Sequence, residues 1–283
     1  MFGLDSFFLL KRLYEDGIFK YDIKIIICFF PILCLCVSLK GKVKNMSQET
    51  EMNKTEGISV ITATNRDECM VMVFANYKRQ QWQNKELIII LNNDLMDLNK
   101  WKMEARKYQQ VTVFKLPEND TLGKCLNFGV EKAKYKYIAK LDDDDYYGPK
   151  YLDESFETMH NMDAAVVGKR TCFMYLIKKK EVRLRFPGKE NCEVNILQGA
   201  TIFTTKKLLQ KLPFPNKNLG ECLDFLQRCE KYGFKICASS RYNYAILRKN
   251  SKFHTWRPTK EYLYVTSERV AFTEDYRKYV NEI

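Results

Sequence analysis

Residues 137–145 read Tyr-Ile-Ala-Lys-Leu-Asp-Asp-Asp-Asp, a short apolar run that ends on four consecutive aspartates. The run Tyr137–Leu141 predicts a buried strand. In open α/β sheets, ligands bind beyond the carboxyl ends of the strands. Adjacent carboxylates repel one another unless a cation neutralises them, and a hard cation completes its shell with water and substrate phosphates. The stretch therefore predicts either a metal–phosphate site or a solvated charged turn.

Alternating strand and helix signals precede this stretch. Strands are predicted at Ile58–Ala63, Glu86–Leu91 and Val111–Leu116, and helices at Asp67–Gln80, Trp101–Gln109 and Leu122–Ala133. Glu86–Leu91 is apolar almost throughout, which is typical of a strand buried on both faces. Strands separated by helix-length segments indicate crossover units, and so an α/β fold with a mainly parallel sheet flanked by helices.

The pattern after Pro149 is less regular and indicates a smaller mixed sheet. Helices are predicted at Pro149–Met159, Thr204–Leu212 and Gly220–Tyr232, a strand hairpin within Ala164–Phe186, and single strands at Gln198–Phe203 and Phe234–Ala238. The domain organisation expected from these signals is a catalytic domain over 57–260 followed by a tail over 261–283.

An apolar appendage over 1–45 and a polar linker over 46–56 are expected before that domain. The appendage contains Ile25–Leu39, which carries no charge and has Pro31 at its centre. A membrane-spanning helix needs about 20 apolar residues, and this segment is shorter. Three interpretations stay open: a short or re-entrant membrane anchor, an interfacial patch, or a buried element of the fold.

The chain has a formal net charge of +12, which favours an anionic partner. Its basic residues are scattered and no nucleic-acid-reading motif is present, so nucleic acid is not expected as that partner. The ten cysteines form no C-x-x-C pair and are interpreted as small buried hydrophobic residues rather than disulfides or zinc ligands. Reduced thiols indicate a cytoplasmic location, which the apolar appendage would place at the inner face of the membrane.

Four segments of the chain carry motifs in a fixed order. Residues 57–66 read Gly-Ile-Ser-Val-Ile-Thr-Ala-Thr-Asn-Arg, residues 81–91 contain the second predicted strand, residues 119–133 contain a glycine-bearing helix, and Leu141–Asp145 are followed by Pro149. In this order they resemble the first strand, the second strand, the helix and the L-D-x-D-D motif of the glycosyltransferases of family 2. The resemblance implies a GT-A fold and inverting transfer from a nucleoside diphosphate sugar in the assembly of cell-surface glycan, with Mn²⁺ or Mg²⁺ as cofactor.

The resemblance assigns donor-side roles by position. Thr62, Thr64 and Arg66 would lie beside the nucleotide, and Lys124 in the segment near the base and ribose. Asn92 stands where many members have an aspartate that contacts the base, which leaves the identity of the base open. Asp142 would face the ribose and Asp144 would bind the metal, with Asp143 or Asp145 assisting. His254 would reach the metal or diphosphate, or serve a structural role.

The acceptor would be a glycan, a lipid-linked intermediate or a protein, at a membrane surface if the appendage is an anchor. Gln198 and Gly199 resemble the stretch that lines the acceptor side, and Trp256 would either stack on a sugar or pack in the core. The family's catalytic base opens a late helix in an E-D pair, but here Glu221 is followed by Cys222. We interpret Asp224 as the preferred base and Glu221 as the second candidate, against a purely helix-capping role for both.

Two other functions fit parts of the sequence. A nucleotidyltransferase also places aspartates at a sheet edge, but the segment after the first strand lacks the glycine-rich loop it needs. A catalytically degenerate member that binds sugar-nucleotide without turnover would explain Cys222.

Overall fold

The computed structural model describes residues 56–249 and 256–281, which belong to one compact unit. The apolar segment Ile25–Leu39, the linker and His254 lie outside these residues. Within the described ranges, no helix is long and apolar enough to cross a membrane.

A larger sheet of eight strands forms the first half of the fold. Its strands are β1 (Ile58–Thr64), β2 (Lys85–Leu91), β3 (Val111–Lys115), β4 (Tyr137–Lys140), β6 (Val166–Gly168), β9 (Cys192–Glu193), β10 (Phe203–Thr205) and β11 (Ile236–Ala238). They lie in the order β3-β2-β1-β4-β10-β6-β11-β9. β1 pairs in parallel with β2 and β4, and β2 with β3, while β10 runs antiparallel to β4 and β6. The predicted, mainly parallel α/β sheet is confirmed.

Helices cover both faces of this sheet. They are α1 (Met70–Arg79), α2 (Leu98–Ala105), α3 (Leu122–Lys132), α4 (Tyr151–Asn161), α5 (Lys206–Lys211) and α6 (Glu221–Lys231). One apolar core packs α1, α2 and α4 against the sheet, and a second packs α3, α5 and α6. Both faces of β2 are covered, which confirms the burial predicted from its nearly continuous apolar sequence. Gly129 in α3 permits close packing on β1, since a Cβ there would lie 2.6 Å from Ile61 Cγ2.

A second sheet of five strands has the order β13-β8-β7-β12-β5. Its strands are β5 (Tyr146–Tyr147), β7 (Cys172–Leu176), β8 (Glu181–Arg185), β12 (Tyr244–Arg248) and β13 (Ser267–Phe272). The helices α7 (Lys260–Val265) and α8 (Arg277–Val280) flank β13 in the chain. β13 pairs antiparallel with β8, so residues that the sequence assigned to a tail extend this sheet. The aspartate run connects β4 of the larger sheet to β5 of the smaller one.

Three element predictions need correction. The predicted strand Gln198–Phe203 is a 3₁₀ turn over Gly199–Thr201, and β10 begins only at Phe203. The helix predicted at Trp101–Gln109 begins three residues earlier, because the Asp97 side chain caps the N–H groups of Asn99 and Lys100. The predicted hairpin within Ala164–Phe186 is formed by β7 and β8 alone, since β6 joins the larger sheet.

The cysteine prediction holds for the described residues. None of these cysteines is in a disulfide. All are buried except Cys192, which is half-buried.

Candidate active site

The predicted donor-side residues meet at one edge of the larger sheet. β1, β2 and β4 are parallel, so the residues that follow them share that edge. Thr64 ends β1, Asn92 follows β2, and Asp142–Asp145 follow β4. The Asn92 N–H donates a 2.8 Å hydrogen bond to the Thr64 carbonyl, which ties two of these strand ends together. We call Thr64–Arg66, Asn92 and Asp142–Asp145 the aspartate edge.

Asp143 is the anchor of the aspartate edge. Its carboxylate accepts hydrogen bonds from the Thr64 hydroxyl and the Arg66 Nε, and it forms an ion pair with Arg66 Nη2. Only 6% of its side chain is exposed. Burial raises the pKa of Asp143, and Arg66 and Thr64 oppose that shift. Asp143 therefore holds Arg66 in place, and its predicted contact with the nucleotide-sugar stays a prediction.

Asp144 shares the same arginine but is more open. Its Oδ2 lies 3.2 Å from Arg66 Nη1, and 14% of its side chain is exposed. Arg66 therefore spans two neighbouring carboxylates and offsets their repulsion.

Asp145 faces away from this edge, toward the second sheet. Its Oδ2 accepts a hydrogen bond from the Tyr244 hydroxyl, and its Oδ1 accepts one from the Leu247 N–H at 3.1 Å. Burial raises the pKa of Asp145 well above its usual value. These contacts join the two sheets, so Asp145 acts in the structure rather than in ligand binding.

Asp142 is the most exposed of the four, with 38% of its side chain accessible. It forms an ion pair with Lys140, whose own side chain is only 4% exposed. Its N–H donates a 2.7 Å hydrogen bond to the Tyr147 hydroxyl, which itself donates to the Ala200 carbonyl at 2.6 Å. Asp142 is thus oriented from both its backbone and its side chain.

Lys140 connects the aspartate edge to the start of α6. Burial opposes its charge, but the carboxylates of Asp142 and Glu221 raise the pKa of Lys140, so it stays protonated. Glu221 is itself buried, with 7% exposed. We call Lys140, Asp142, Glu221 and Cys222 the Glu221 cluster.

Cys222 stands where the resemblance leads us to expect an aspartate. Its Sγ lies 3.3 Å from the Gly199 carbonyl oxygen and 3.2 Å from Glu221 Oε1, so its single proton has two acceptors within reach. A Cβ at Gly199 would lie 3.1 Å from Cys222 Cβ, so glycine permits this close approach. Burial raises the pKa of Cys222 well above its usual value, which keeps it a neutral thiol.

Asp224, the preferred base in the sequence analysis, lies outside the Glu221 cluster. Its carboxylate pairs with Lys217 at 3.0 Å and with Arg228 at 2.9 Å. The hydrogen bond from Lys217, followed by that from Arg228, lowers the pKa of Asp224 and weakens it as a base. On this geometry Glu221, not Asp224, is the carboxylate near the aspartate edge.

The remaining predicted residues are distributed around this centre. Thr62 is buried within β1, and the Lys124 ammonium pairs with Asp120 rather than with the aspartate run. The side chain of Gln198 accepts a 3.5 Å hydrogen bond from Arg185, and Trp256 is 39% exposed beside the same arginine.

Four residues that organise the site were not predicted from the sequence: Lys140, Tyr147, Tyr244 and Arg185. Lys140 could have been recognised, because it is a lysine within an apolar strand. Tyr147, Tyr244 and Arg185 could not, because their contacts join segments that are far apart in the chain.

Comparison with known proteins identifies the family. The profile described as glycosyl transferase family 2 matches residues 59–237, well over half of the chain. The chain belongs to glycosyltransferase family 2. It is 33% identical over 114 residues to the O-antigen biosynthesis glycosyltransferase WbnJ of Escherichia coli, a match over 39% of this chain and 44% of that protein.

Other similarities are more distant. An uncharacterised glycosyltransferase of Haemophilus influenzae is 25% identical over 175 residues, which cover 56% of this chain and 66% of that one. This family 2 chain thus spans less than two thirds of these curated relatives. The structure of S. aureus TarS with UDP-GlcNAc has a TM-score of 0.52 at 14% identity, over 69% of this chain and 59% of that one.

A mannosyltransferase from Pyrobaculum calidifontis, in complex with GDP-Man and Mn²⁺, has a TM-score of 0.52 at 12% identity, over 68% of this chain and 56% of that one. At such identities the likeness concerns the fold alone, and it confirms the predicted GT-A fold.

Proposed function

We propose that this protein transfers a sugar, with inversion, from a nucleoside diphosphate sugar to an acceptor hydroxyl, with a divalent metal ion as cofactor. The observation that carries the proposal is the aspartate edge itself. Two of its carboxylates, Asp142 and Asp144, keep exposed side-chain surface, while Asp143 and Asp145 are tied into the fold. Ligands of such sheets bind at this edge.

The carboxylates of the aspartate edge fit a metal ion that binds together with a diphosphate. The described residues contain no group of three or more His, Cys, Asp and Glu side chains that suits a metal ion. Asp144, with Asp142 beside it, offers the one or two carboxylates that Mg²⁺ or Mn²⁺ usually takes when substrate phosphates complete the shell. When bound, the ion would offset the charge that develops on the leaving diphosphate.

Glu221 is proposed as the general base. Glu221 and Asp142 both act on the buried ammonium group of Lys140, which places Glu221 near Asp142. Asp224 is instead held by its ion pairs with Lys217 and Arg228. In this assignment Glu221 accepts the proton of the acceptor hydroxyl, and Lys140 holds Asp142 in place for the ribose. Cys222, as a neutral thiol hydrogen-bonded to Glu221, orients the carboxylate without competing for the proton.

The biological setting is also a proposal. WbnJ is named for O-antigen biosynthesis, which supports a role in cell-surface glycan assembly from the cytoplasmic side. The structural neighbours bind a uridine and a guanosine nucleotide, and with asparagine rather than aspartate at position 92 the identity of the base stays open for this chain.

The test is turnover with a panel of UDP- and GDP-sugars, measured as nucleoside diphosphate released with and without glycan acceptors. Metal-dependent release that increases with acceptor supports transfer. Nucleotide binding without any release in any combination would instead favour a degenerate, binding-only member.

A further inference from the structure

Arg185 lies near two other arginines: it shares the ring of Phe186 with Arg170 and the ring of Trp256 with Arg248. Arg170 follows β6, Arg185 ends β8 and Arg248 ends β12. None of the three forms an ion pair with a carboxylate of the described residues. Other arginines of the described residues do: Arg66 with Asp143, Arg183 with Glu181, Arg228 with Asp224 and Arg241 with Glu190. We call Arg170, Arg185 and Arg248 the arginine cluster.

Arg185 is the innermost member and has unused hydrogen-bonding capacity. Only 1% of it is exposed. Within the part of the chain that the structure describes, its guanidinium donates one hydrogen bond, from Nη1 to Gln198 Oε1 at 3.5 Å, and its Nε has no partner. A buried charged group without partners is costly, and such a group in a native structure calls for an explanation.

Aromatic rings surround this guanidinium. Its Cζ lies 4.8 Å from the ring centre of Phe186, 5.2 Å from that of Trp256 and 5.8 Å from that of Tyr262. Ring faces attract the cation but accept no hydrogen bond of normal strength from Nε. Trp256 and Tyr262 are 39% and 43% exposed, so these two rings lie between the guanidinium and solvent.

The guanidinium of Arg185 repels those of Arg170 and Arg248. The Cζ of Arg170 lies 3.7 Å from the centre of the Phe186 ring that Arg185 also contacts. Burial lowers the pKa of Arg170, and the charge of Arg185 lowers it further. Burial likewise lowers the pKa of Arg248, and Arg185 acts in the same direction while Asp145 and Asp144 oppose it. A bound anion would relieve this repulsion.

The position of Arg185 points to the acceptor rather than to the donor. Arg185 donates a hydrogen bond to Gln198, and Gly199 follows directly in the chain. The carbonyl oxygen of Gly199 lies 3.3 Å from the Sγ of Cys222, the residue next to the proposed base Glu221. The donor-side arginine, Arg66, is occupied by Asp143 and Asp144. Arg248 lies between the two, within electrostatic reach of both Asp144 and Arg185.

We propose that the arginine cluster binds an anionic group, a carboxylate or a phosphate, of the acceptor glycan, with Trp256 and Tyr262 packing on the adjoining sugar. Arg185 supplies the fixed inner donors, Arg170 the open side, and arginine's planar fork suits both kinds of anion. This inference rests on the proposed function, because it concerns the acceptor of that reaction.

The test uses the full chain saturated with UDP or GDP and Mn²⁺, so that the donor site is filled. Methyl β-glucuronide, glucose 6-phosphate and the neutral methyl β-glucoside are titrated and followed by calorimetry and tryptophan fluorescence. Of the tryptophans, Trp82 and Trp101 are 3% and 0% exposed, so acrylamide quenching reports chiefly on Trp256. We expect at least one anionic probe to bind about tenfold or more tightly than the neutral one, and to change the quenching.

Matched variants assign the effect to the cluster. Arg185→Gln and Arg170→Gln should abolish the preference for the anionic probes, and Arg185→Lys should retain part of it. Arg269→Gln, at an exposed arginine of β13, should leave it unchanged. If Arg185→Gln does not fold, the probe preference of Arg170→Gln decides the outcome, because Arg170 is only half-buried.

Three results would overturn the inference: equal binding of neutral and anionic probes, an equal loss in Arg269→Gln, or weakened nucleotide binding in Arg185→Gln with probe binding intact. Absence of nucleotide binding in the wild-type protein contradicts the proposed function instead. In that case the probes are titrated without nucleotide, and the preference for anionic over neutral probes alone tests the inference.

Discussion

At the aspartate edge, Arg66 spans the carboxylates of Asp143 and Asp144, whereas Arg170 and Arg185 share the ring of Phe186 and pair with no carboxylate of the described residues. The first region offsets part of its negative charge internally, since one guanidinium lies between two carboxylates. The second leaves positive charge unbalanced, and Arg185 Nε has no hydrogen-bond partner among the described residues. The contrast agrees with the proposed roles, which are metal and nucleotide binding at the aspartate edge and anion binding at the arginine cluster.

The largest expected effect concerns Glu221, the proposed general base. Glu221→Gln should lower kcat by about 10²–10⁴-fold, the usual contribution of a general base. Asp224→Asn should retain activity within about threefold, because Asp224 is engaged by Lys217 and Arg228. Steady-state turnover with the best donor measures both. Full activity in Glu221→Gln together with loss in Asp224→Asn would return the role to Asp224.

Removing an arginine should act differently in the two regions. Arg66→Gln leaves Asp143 buried without its cation, and breaking such a pair costs about 3–5 kcal/mol of unfolding free energy. Arg170→Gln removes a like charge beside Arg185 and should change stability by less than about 1 kcal/mol. Urea unfolding of both variants checks this. Equal destabilisation would show that the acceptor-side arginines are structural.

Asp145 tests whether the aspartate run is divided between structure and function. Asp145→Ala leaves the buried Tyr244 hydroxyl and Leu247 N–H without an acceptor, and each such loss costs about 1–3 kcal/mol. We expect a total of about 2–4 kcal/mol by urea unfolding. Asp142→Ala, at the exposed end of the run, should cost less. The opposite order would mean that Asp145 is not the structural member.

The smallest effect concerns thiol reactivity. Burial raises the pKa of Cys222 well above its usual value, so the reactive thiolate stays scarce as the pH rises toward 8. Among the described cysteines, iodoacetamide should modify half-buried Cys192 first and leave Cys222 intact, as measured by mass spectrometry of peptides. Early modification of Cys222 would mean that the Glu221 cluster opens in solution.

The donor half was predictable because its signals are local. Continuous apolar strands, the aspartates that follow β4 and the order of the family motifs all lie within short stretches of residues 57–152. The acceptor half depends on pairings between distant segments. β6 and β7 follow each other in the chain but join different sheets, and β13 returns to β8 from beyond the expected domain end.

The site shows the same division. The aspartate run predicted the position of the site at the sheet edge. Four identical residues, however, do not show in the sequence which of them are held by the fold. The contacts of Asp145 with Tyr244 and of Asp143 with Arg66 show that in the structure. The sequence favours Asp224 as the base because it is acidic and near the expected position, whereas its engagement by Lys217 and Arg228, on which the proposal of Glu221 rests, appears only in the fold.

Metal-dependent nucleotide binding is the most direct test of the aspartate edge. Thermal unfolding of the wild-type protein with UDP or GDP should shift upward only when Mn²⁺ is present, and Asp144→Asn should lose that shift. Asp163→Asn is the matched control, because Asp163 is exposed and lies before β6, at the opposite edge of the sheet. A nucleotide shift that Asp144→Asn retains in full, or one that needs no metal, would contradict the account.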